Sequence, residues 1–264
     1  MKNKYDIIYS IGHDCACSMY LKKHNLRVVS GPLDWLTSVP AHMRFNLILN
    51  DFENFMNIED FEFVEKNPNI VNDDACDYYK NKRTGLYFYH DFPAGVPLHN
   101  SYPTVAEKYA RRINRFYSNI RTHENVLLVW FSHYHNTPDD EWLNFANKFC
   151  AKVNKNVDFL IIQHRDNQLT PIKKNIAPNI LRYDVHTVEK DKEGNNTTIG
   201  NEQLCNPLFA QFSLRIPRNR RMQYAYKKAM IHVVCRFIPF KRIRHAWRNK
   251  LNADVFNLIH NRKD

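Results

Sequence analysis

Several features that mark membrane, secreted and metal-binding proteins are missing from this sequence of 264 residues. No run approaches the roughly 18 apolar residues that a membrane-spanning helix requires, and no signal-peptide pattern precedes the first apolar segment. The six cysteines include no CxxC pair, and Cys15 and Cys17 are too close in sequence for an ordinary disulfide. A structural zinc site is therefore not expected. We expect free thiols and a cytoplasmic location.

Acidic residues are absent between Gln203 and Ala253. Twelve of the 38 Lys and Arg residues lie there, whereas the remaining 26 basic and 27 acidic residues nearly cancel, so the net charge of +11 belongs to the end of the chain. This asymmetry predicts a nearly neutral domain over residues 1–202 and a basic helical C-terminal segment over residues 203–264. No recognised nucleic-acid motif accompanies the charge, so a nucleic-acid partner is not expected.

Short β-branched or aromatic runs alternate with helical patterns along most of the chain. The spacing of Thr104 and Glu107 is typical of a capping box at a helix start, and the stretch Asn50–Gly85 is irregular enough to indicate a cover or insertion. The alternation predicts an α/β fold with a largely parallel, Rossmann-like sheet flanked by helices. The predicted strands are Tyr5–Ile11, Leu86–Phe92, Asn125–Ser132, Val157–Gln163 and Ile180–Val185.

Polar side chains, histidines above all, follow the ends of these predicted strands. In open parallel sheets the functional groups gather beyond the carboxyl ends of the strands, so we expect these side chains to share one edge. In chain order the residues at these strand ends are Gly12, His13, Asp14 and Cys15; His90 and Asp91; Ser132, His133, Tyr134 and His135; His164, Arg165 and Asp166; and Asp184 and His186.

The stretch "YDIIYSIGHDCACSMYLKKHNL" places Cys15 where a strand turns into a helix. Gly12 permits a tight turn, and Asp14 can cap the helix. A thiol in the first turn is close to the positive end of the helix, which lowers its pKa and raises its thiolate fraction. A cysteine nucleophile also needs a histidine within reach and a third group to orient that histidine. On these grounds Cys15 is either a nucleophile or a buried structural cysteine.

Two further motifs offer partners for such a thiol. The segment "SGPLDWL" places Asp34 and Trp35 just before a helix expected near Thr37, so Asp34 is either a helix cap or a group that orients a histidine. The segment "YFYHDFP" ends a predicted strand with His90 and Asp91, where His90 is either a general base or a core histidine.

A third motif, "KYARRINRF", carries arginines on a predicted helix. Arg112 and Arg115 are three residues apart and could face one anion together, although a solvated helix face has the same pattern.

Together these motifs resemble a bacterial family of domains of unknown function described as papain-like cysteine peptidases. The resemblance covers roughly residues 5 to 131. Papain's own local signature, a glutamine ahead of the cysteine and a tryptophan after it, is missing. The matching residues are Ser10, Gly12 and Cys15, then Pro32, Asp34 and Trp35, then His90, Asp91 and Phe92, and finally Arg111, Arg112 and Arg115.

The resemblance implies a Cys–His site for hydrolysis or acyl transfer on a peptide, acyl or glycan-linked substrate. Cys15 would be the nucleophile, His90 the general base, and Asp34 or Asp91 the orienting group. No cofactor or catalytic metal is expected. The expected substrate-binding residues are His13, Trp35, Arg111, Arg112 and Arg115.

Two other classes of function stay open. A transferase of cell-surface polysaccharide synthesis would suit a Rossmann-like sheet, anion-facing arginines and a basic segment at a membrane surface. A non-catalytic module could bind anionic partners through the same segment. From Met222 to Ile238 apolar residues recur at helical spacing, and the basic stretch "FKRIRHAWRNKL" follows. These segments either pack on the domain or bind the inner face of an anionic membrane.

Overall fold

A computed structural model describes residues 1–37, 39–66, 75–134, 136–215, 218–238, 243–244, 246–248 and 251. Within these residues the chain forms seven helices and eleven strands. The helices are α1 (Cys15–Lys23), α2 (Ala41–Leu49), a 3-10 helix (Ile58–Asp60), α3 (Leu98–Thr122), α4 (Asp139–Val153), α5 (Glu202–Ala210) and α6 (Arg218–Arg236). The strands are β1 (Lys4–Tyr5), β2 (Ile7–Ser10), β3 (Leu36–Thr37), β4 (Phe61–Glu65), β5 (Cys76–Asn81), β6 (Tyr87–Pro93), β7 (Val126–Phe131), β8 (Asp158–His164), β9 (Ile172–Ala177), β10 (Ile180–Val185) and β11 (Ser213–Leu214).

The larger sheet has five strands in the order β2-β7-β8-β10-β9. The first four are parallel to one another, and β9 pairs antiparallel with β10. Every residue of β7 is buried, as predicted for a strand covered on both faces. Since successive side chains of a strand point to opposite faces, Trp130 contacts Trp142 of α4 at 5.5 Å between ring centroids, and Phe131 contacts Tyr20 of α1 at 5.1 Å. The core therefore fills both sides of this sheet.

The smaller sheet has four strands in the order β3-β6-β5-β4, and all its neighbours are antiparallel. The segment Leu86–Phe92, expected as a strand of the parallel sheet, corresponds to β6 of this second sheet. The physical reason is the connection: only residues 82–86 separate β5 from β6, whereas a parallel pair needs a crossover of a dozen or more residues. The stretch Asn50–Gly85, expected as an insertion, supplies β4 and β5. The prediction of a largely parallel, Rossmann-like sheet is thus corrected: the five-stranded sheet is mixed and the four-stranded sheet is antiparallel.

Helix α3 is longer than its sequence pattern predicts. It begins at Leu98 and continues through Pro103, so Thr104 lies inside the helix and is not its cap. A proline inside a helix removes one backbone hydrogen bond and costs about 3 kcal/mol, so the burial of the apolar face of α3 has to offset this loss. One apolar face of the helix is buried, with Val105, Tyr109, Phe116 and Ile120 on it.

The chain divides into two compact units, Met1–Ser213 and Leu214–Asp264. The second unit contains α6, on which Ile231 and Cys235 are buried while Tyr226 and Met222 are exposed. In the parts of the chain that the structure describes, no helix is both long and apolar enough to cross a membrane. Half of the basic stretch "FKRIRHAWRNKL" lies outside the described residues, and so does the chain after residue 251. The expected domain boundary after residue 202 stays a prediction.

Candidate active site

The carboxyl ends of the four parallel strands meet at one edge of the larger sheet, and histidines lie at each of them. His13 follows β2, His133 follows β7, His164 ends β8, and His186 follows β10. The rings of His164 and His186 are 4.9 Å apart between centroids, and Tyr134 lies 5.8 Å from His13 and 5.9 Å from His133 on the same measure. The strand-end histidines therefore do converge at this edge. His135 lies outside the described residues.

The turn after β2 brings Cys15 to this edge. A Cβ at Gly12 would lie 2.6 Å from the Cβ of Cys17 and 3.0 Å from a carbonyl oxygen of β7, so only glycine fits where the two segments cross. Asp14 then caps α1, since its Oδ1 accepts a hydrogen bond from the backbone N of Ala16 at 2.9 Å. Cys15 is the first residue of the helix and is partly exposed. The turn and the cap expected at this position are confirmed.

The acidity of Cys15 differs from the sequence expectation. Burial, and after it the negative charge of Asp14, raises the pKa of the Cys15 thiol to about 12. The positive end of α1 was expected to lower this pKa, but the same carboxylate that caps the helix also opposes a thiolate beside it. Cys15 is therefore a neutral thiol near pH 7, and any nucleophilic role requires a base to remove its proton.

Asp14 lies next to two histidines. Its Oδ2 is 3.5 Å from Nδ1 of His13. Burial alone would raise the pKa of Asp14, but the hydrogen bond from His13 and the charges of His133 and His13 bring it below its usual value. Burial lowers the pKa of His133, which keeps that ring neutral near pH 7. This edge of the sheet thus combines the thiol of Cys15 and the carboxylate of Asp14, in the turn after β2, with the neutral imidazole of His133 after β7.

Thr187 joins the histidines on the other side of this edge, and sequence analysis did not find it. Its Oγ1 lies 3.2 Å from Nδ1 of His133 and 3.2 Å from Nδ1 of His164, and it donates to the carbonyl oxygen of Ser132 at 3.1 Å. Nε2 of His133 donates to the carbonyl oxygen of Thr198 at 3.2 Å. Both nitrogens of His133 are therefore engaged. A threonine two residues after a strand carries no motif that could have identified this role.

His90 occupies a different environment from the strand-end histidines. It lies inside β6 of the smaller sheet and is exposed, and its ring meets Trp35 edge-on at 5.7 Å between centroids. Among the contacts of the described residues, no hydrogen bond or ring contact joins His90 to Cys15. Its expected role as the general base stays a prediction.

The two aspartates expected to orient a histidine are both buried and bonded to other groups. Oδ2 of Asp34 accepts from Nε of Arg27 at 2.8 Å and from the backbone N of Gly31 at 3.0 Å. Asp91 accepts from the hydroxyl of Tyr109 at 2.9 Å and from Nζ of Lys108 at 2.5 Å. In the described residues neither carboxylate bonds to a histidine, so their observed contacts are structural.

The arginines of α3 split between two faces. Arg111 is exposed and pairs with Glu107 at 4.0 Å. Arg115 points inward and donates to the carbonyl oxygen of Ser30 at 3.0 Å, and the guanidinium of Arg112 lies 5.4 Å from the centroid of the Tyr109 ring. Arg115 therefore supports the segment that leads to Asp34, while the expected binding of a substrate anion by Arg112 and Arg115 stays a prediction.

Arg44 is a further residue that sequence analysis missed. It is fully buried on α2, and burial lowers the pKa of its guanidinium to about 10. It donates to the carbonyl oxygens of His13 at 2.6 Å, Leu33 at 3.2 Å and Leu36 at 2.5 Å. This side chain ties the turn before Cys15 to the loop that contains Asp34. The only signal was an arginine inside the apolar run "AHMRFNLIL".

Residues 6–167 match the family described as putative papain-like cysteine peptidase (DUF1796), and the chain belongs to this family. Over 134 residues it is 27% identical to the uncharacterized protein R408 of Acanthamoeba polyphaga mimivirus, an alignment that covers 47% of this chain and 60% of the viral protein. The chain thus spans about three fifths of the length of that relative. Because this relative is viral, the expectation of a bacterial protein has no support. No solved structure matches the chain.

Proposed function

We propose that the chain is a cysteine-dependent hydrolase or acyl transferase in which Cys15 attacks a carbonyl carbon. The observation that carries this proposal is the position of Cys15, partly exposed at the start of α1, beside Asp14 and His13 on the edge where the strand ends converge. Membership of a family described as papain-like cysteine peptidases supports the same chemistry at the level of the family.

Cys15 is distinguished from the other cysteines by exposure and position. Four of the six are buried, and Cys150 is the other one that is partly exposed. The Sγ of Cys150 accepts from the backbone N of Val157 at 3.4 Å, directly before the start of β8. It therefore lies at the amino end of the parallel strands, away from the histidines. Cys15 combines exposure with the carboxyl edge.

His13 is the base that the local geometry favours. The backbone of Asp14 is extended, with φ −146° and ψ −168°, and in extended chain the side chains of residues i−1 and i+1 lie on the same face. His13 and Cys15 therefore lie on one side of the chain. The carboxylate of Asp14 faces Nδ1 of His13, which orients the ring in the way that a third group orients the histidine of a nucleophilic site.

In the proposed step Sγ of Cys15 bonds to the substrate carbonyl carbon as its proton passes to the imidazole. The same proton then leaves with the departing group, and water releases the acyl group from the thioester. The N–H of Ala16 is donated to Asp14, so other backbone N–H groups in the first turn of α1 would stabilise the developing oxyanion. Since the Cys15 thiol is neutral at rest, the attack requires a base that takes its proton.

The nucleophile is tested with p-nitrophenyl acetate and the full chain. A burst of about one equivalent of p-nitrophenolate, with acetyl mapped to Cys15 by mass spectrometry, is expected. Cys15→Ala should remove the burst, and Cys150→Ala, a substitution at the other partly exposed cysteine, should keep it. A burst that persists in a folded Cys15→Ala chain overturns the proposal.

The base is tested by comparing His13→Gln with His90→Gln. Loss of a general base lowers the rate by about 10²- to 10⁴-fold, and we expect this loss for His13→Gln. Thermal unfolding of each variant separates a lost base from a lost fold. If the loss follows His90→Gln instead, the Cys15–His90 pair predicted from the sequence replaces this assignment. Asp34→Asn and Asp91→Asn then decide which carboxylate orients that ring.

A further inference from the structure

We propose that His164, Asp166 and His186 form a binding site for a divalent transition-metal ion of the zinc class. The two histidines lie at the ends of adjacent parallel strands: His164 is the last residue of β8, its register partner in β10 is Val185, and His186 follows directly. The site contains no cysteine, so the absence of a CxxC pattern from the sequence does not argue against it.

The geometry of the three side chains suits one ion. One potential ligand atom from each residue lies within 4.8 Å of the other two, and Nε2 of His164 is 3.0 Å from Oδ1 of Asp166. Nitrogen and oxygen ligands about 2.1 Å from a tetrahedral zinc ion lie roughly 3.4 Å from one another. The cluster therefore reaches this geometry through small side-chain shifts, chiefly of Asp166, whose side chain is 88% exposed.

His186 supplies an independent observation. Its Nδ1 is buried, and among the described residues it has no hydrogen-bond partner. Buried polar atoms in folded proteins are nearly always paired, so an unpaired one indicates a water molecule or an ion as its partner. An imidazole nitrogen that is buried, unpaired and close to a second imidazole and a carboxylate has the surroundings of a metal ligand.

Metal binding at Nε2 of His164 requires a change in its hydrogen bonds. Its Nδ1 accepts from the backbone N of Thr187 at 3.1 Å, so without metal the ring proton lies on Nε2 and is shared with Asp166. When a metal ion takes Nε2, the ring proton moves to Nδ1, so the bond from the backbone N of Thr187 opens and the ring turns toward Oγ1 of Thr187, which lies 3.2 Å from Nδ1. This hydroxyl donates to the carbonyl oxygen of Ser132 and can accept from Nδ1. A ligand histidine that donates its second N–H to a fixed acceptor is the usual arrangement.

The site opens into a cavity of about 470 Å³. With three protein ligands, a metal ion here keeps at least one position for water or substrate, as catalytic sites do and closed structural sites do not. Lys190 and Asn196 line the same cavity and place a cation and an amide near that open position. Two imidazoles and one carboxylate suit zinc or its neighbours in the transition series, whereas magnesium and calcium prefer oxygen ligands alone.

The proposal is tested by titrating chelator-treated full chain with Co²⁺ and Zn²⁺. We expect one equivalent to bind at micromolar concentration or below, with visible cobalt bands and no thiolate-to-metal charge transfer. His164→Ala, His186→Ala and Asp166→Asn should each weaken binding at least tenfold. Thr187→Val, which removes only the supporting hydroxyl, should weaken it about 10- to 100-fold. His42→Ala, at an exposed histidine of α2, should leave binding unchanged.

Three results would overturn the metal site. They are no binding below millimolar metal, equal binding by the His42→Ala and His186→Ala chains, and a thiolate charge-transfer band that disappears in Cys15→Ser. Circular dichroism and thermal unfolding without metal identify a variant that fails to fold, and the Asp166→Asn change, at an exposed side chain, keeps the test decisive in that case. The readout is metal binding alone, so it is independent of the hydrolase proposal.

Discussion

Asp14→Asn should make the Cys15 thiol easier to ionise and therefore faster to alkylate. Burial and the Asp14 charge raise the pKa of this thiol from 9.0 to about 12. At pH 7 a thiol with that pKa is ionised in about 1 molecule in 10⁵, against roughly 1 in 100 for an unperturbed thiol. Asparagine keeps an oxygen for the cap of α1 but carries no charge. Burial, the larger cause, remains in Asp14→Asn, so the acceleration stays below the roughly 10³-fold that loss of the whole rise would give.

The assay is the rate of iodoacetamide labelling at Cys15, followed by quantitative peptide mass spectrometry between pH 6.5 and 9.5, a range of about three units around the pKa of a free thiol. In the native chain the rate should rise tenfold per pH unit without a plateau. Cys150, whose pKa is raised by burial and not by Asp14, is the internal reference. A plateau below pH 9.0, the ordinary thiol pKa, in the native chain, or an unchanged rate in Asp14→Asn, would refute this account of the site.

Three further predictions concern stability and the C-terminal segment. The thiols of Cys17 and Cys205 have pKa values near 12 because they are buried. The stability that these neutral thiols contribute is therefore fully present below about pH 9, the pKa of the thiol in the unfolded chain. Above that pH the free energy of unfolding falls by about 1.4 kcal/mol per pH unit and thiol, up to the folded pKa. Urea titrations from pH 8 to 11 measure this slope, which Cys205→Ala should reduce. Gly200→Ala should destabilise by about 2 kcal/mol or more, since its Cβ would lie 2.0 Å from the carbonyl oxygen of Thr187 at φ +73°; Gly194→Ala, at φ +85° with open space around it, is the matched control in chemical denaturation. The full chain should bind anionic but not neutral liposomes in a salt-sensitive manner, at roughly 1 kcal/mol per basic residue, and a chain cut after Ile238 should not; equal binding to both kinds of liposome would contradict this.

The strands of the parallel core could be predicted because the apolar run of each strand lies within one short segment of the sequence. The continuous apolar run around β7 is typical of a strand buried on both faces, and β8 and β10 follow the same rule. The second sheet was missed because periodicity identifies a strand but not its partner. Whether β6 pairs in parallel or antiparallel depends on the short turn before it and on residues that the sequence marked only as irregular.

The candidate site was predictable where the residues belong to one segment. Gly12, Asp14 and Cys15 act within a few positions of one another, so the turn and the cap could be read directly. The pKa of Cys15 could not, because burial depends on what packs over the thiol from distant parts of the chain. Thr187 was missed for the same reason: its role arises from strand order, which brings the ends of β7, β8 and β10 together.

Helix α3 connects residues of the third and fourth matching motifs and a residue beside the second. Asp91, in the third motif, bonds to Lys108 and Tyr109, and Arg115 of the fourth bonds to the backbone of Ser30, beside the second. A buried charge is costly unless it is paired and hydrogen-bonded. The third and fourth motifs and the segment beside the second are therefore connected through α3 in the folded chain.

The first motif is attached to this framework by Arg44, which belongs to none of the four. Its guanidinium is fully buried and its described acceptors are backbone carbonyls, among them that of His13. Moving the acceptors away from a buried cation costs much free energy. Arg44 therefore fixes the carbonyl of His13 relative to the loop before β3. The turn that carries Asp14 and Cys15 is consequently fixed by two contacts: the hydrogen bond from Arg44 and the close packing at Gly12. Such a turn can present a neutral thiol in one orientation, which is the property that a nucleophile activated only during the reaction requires.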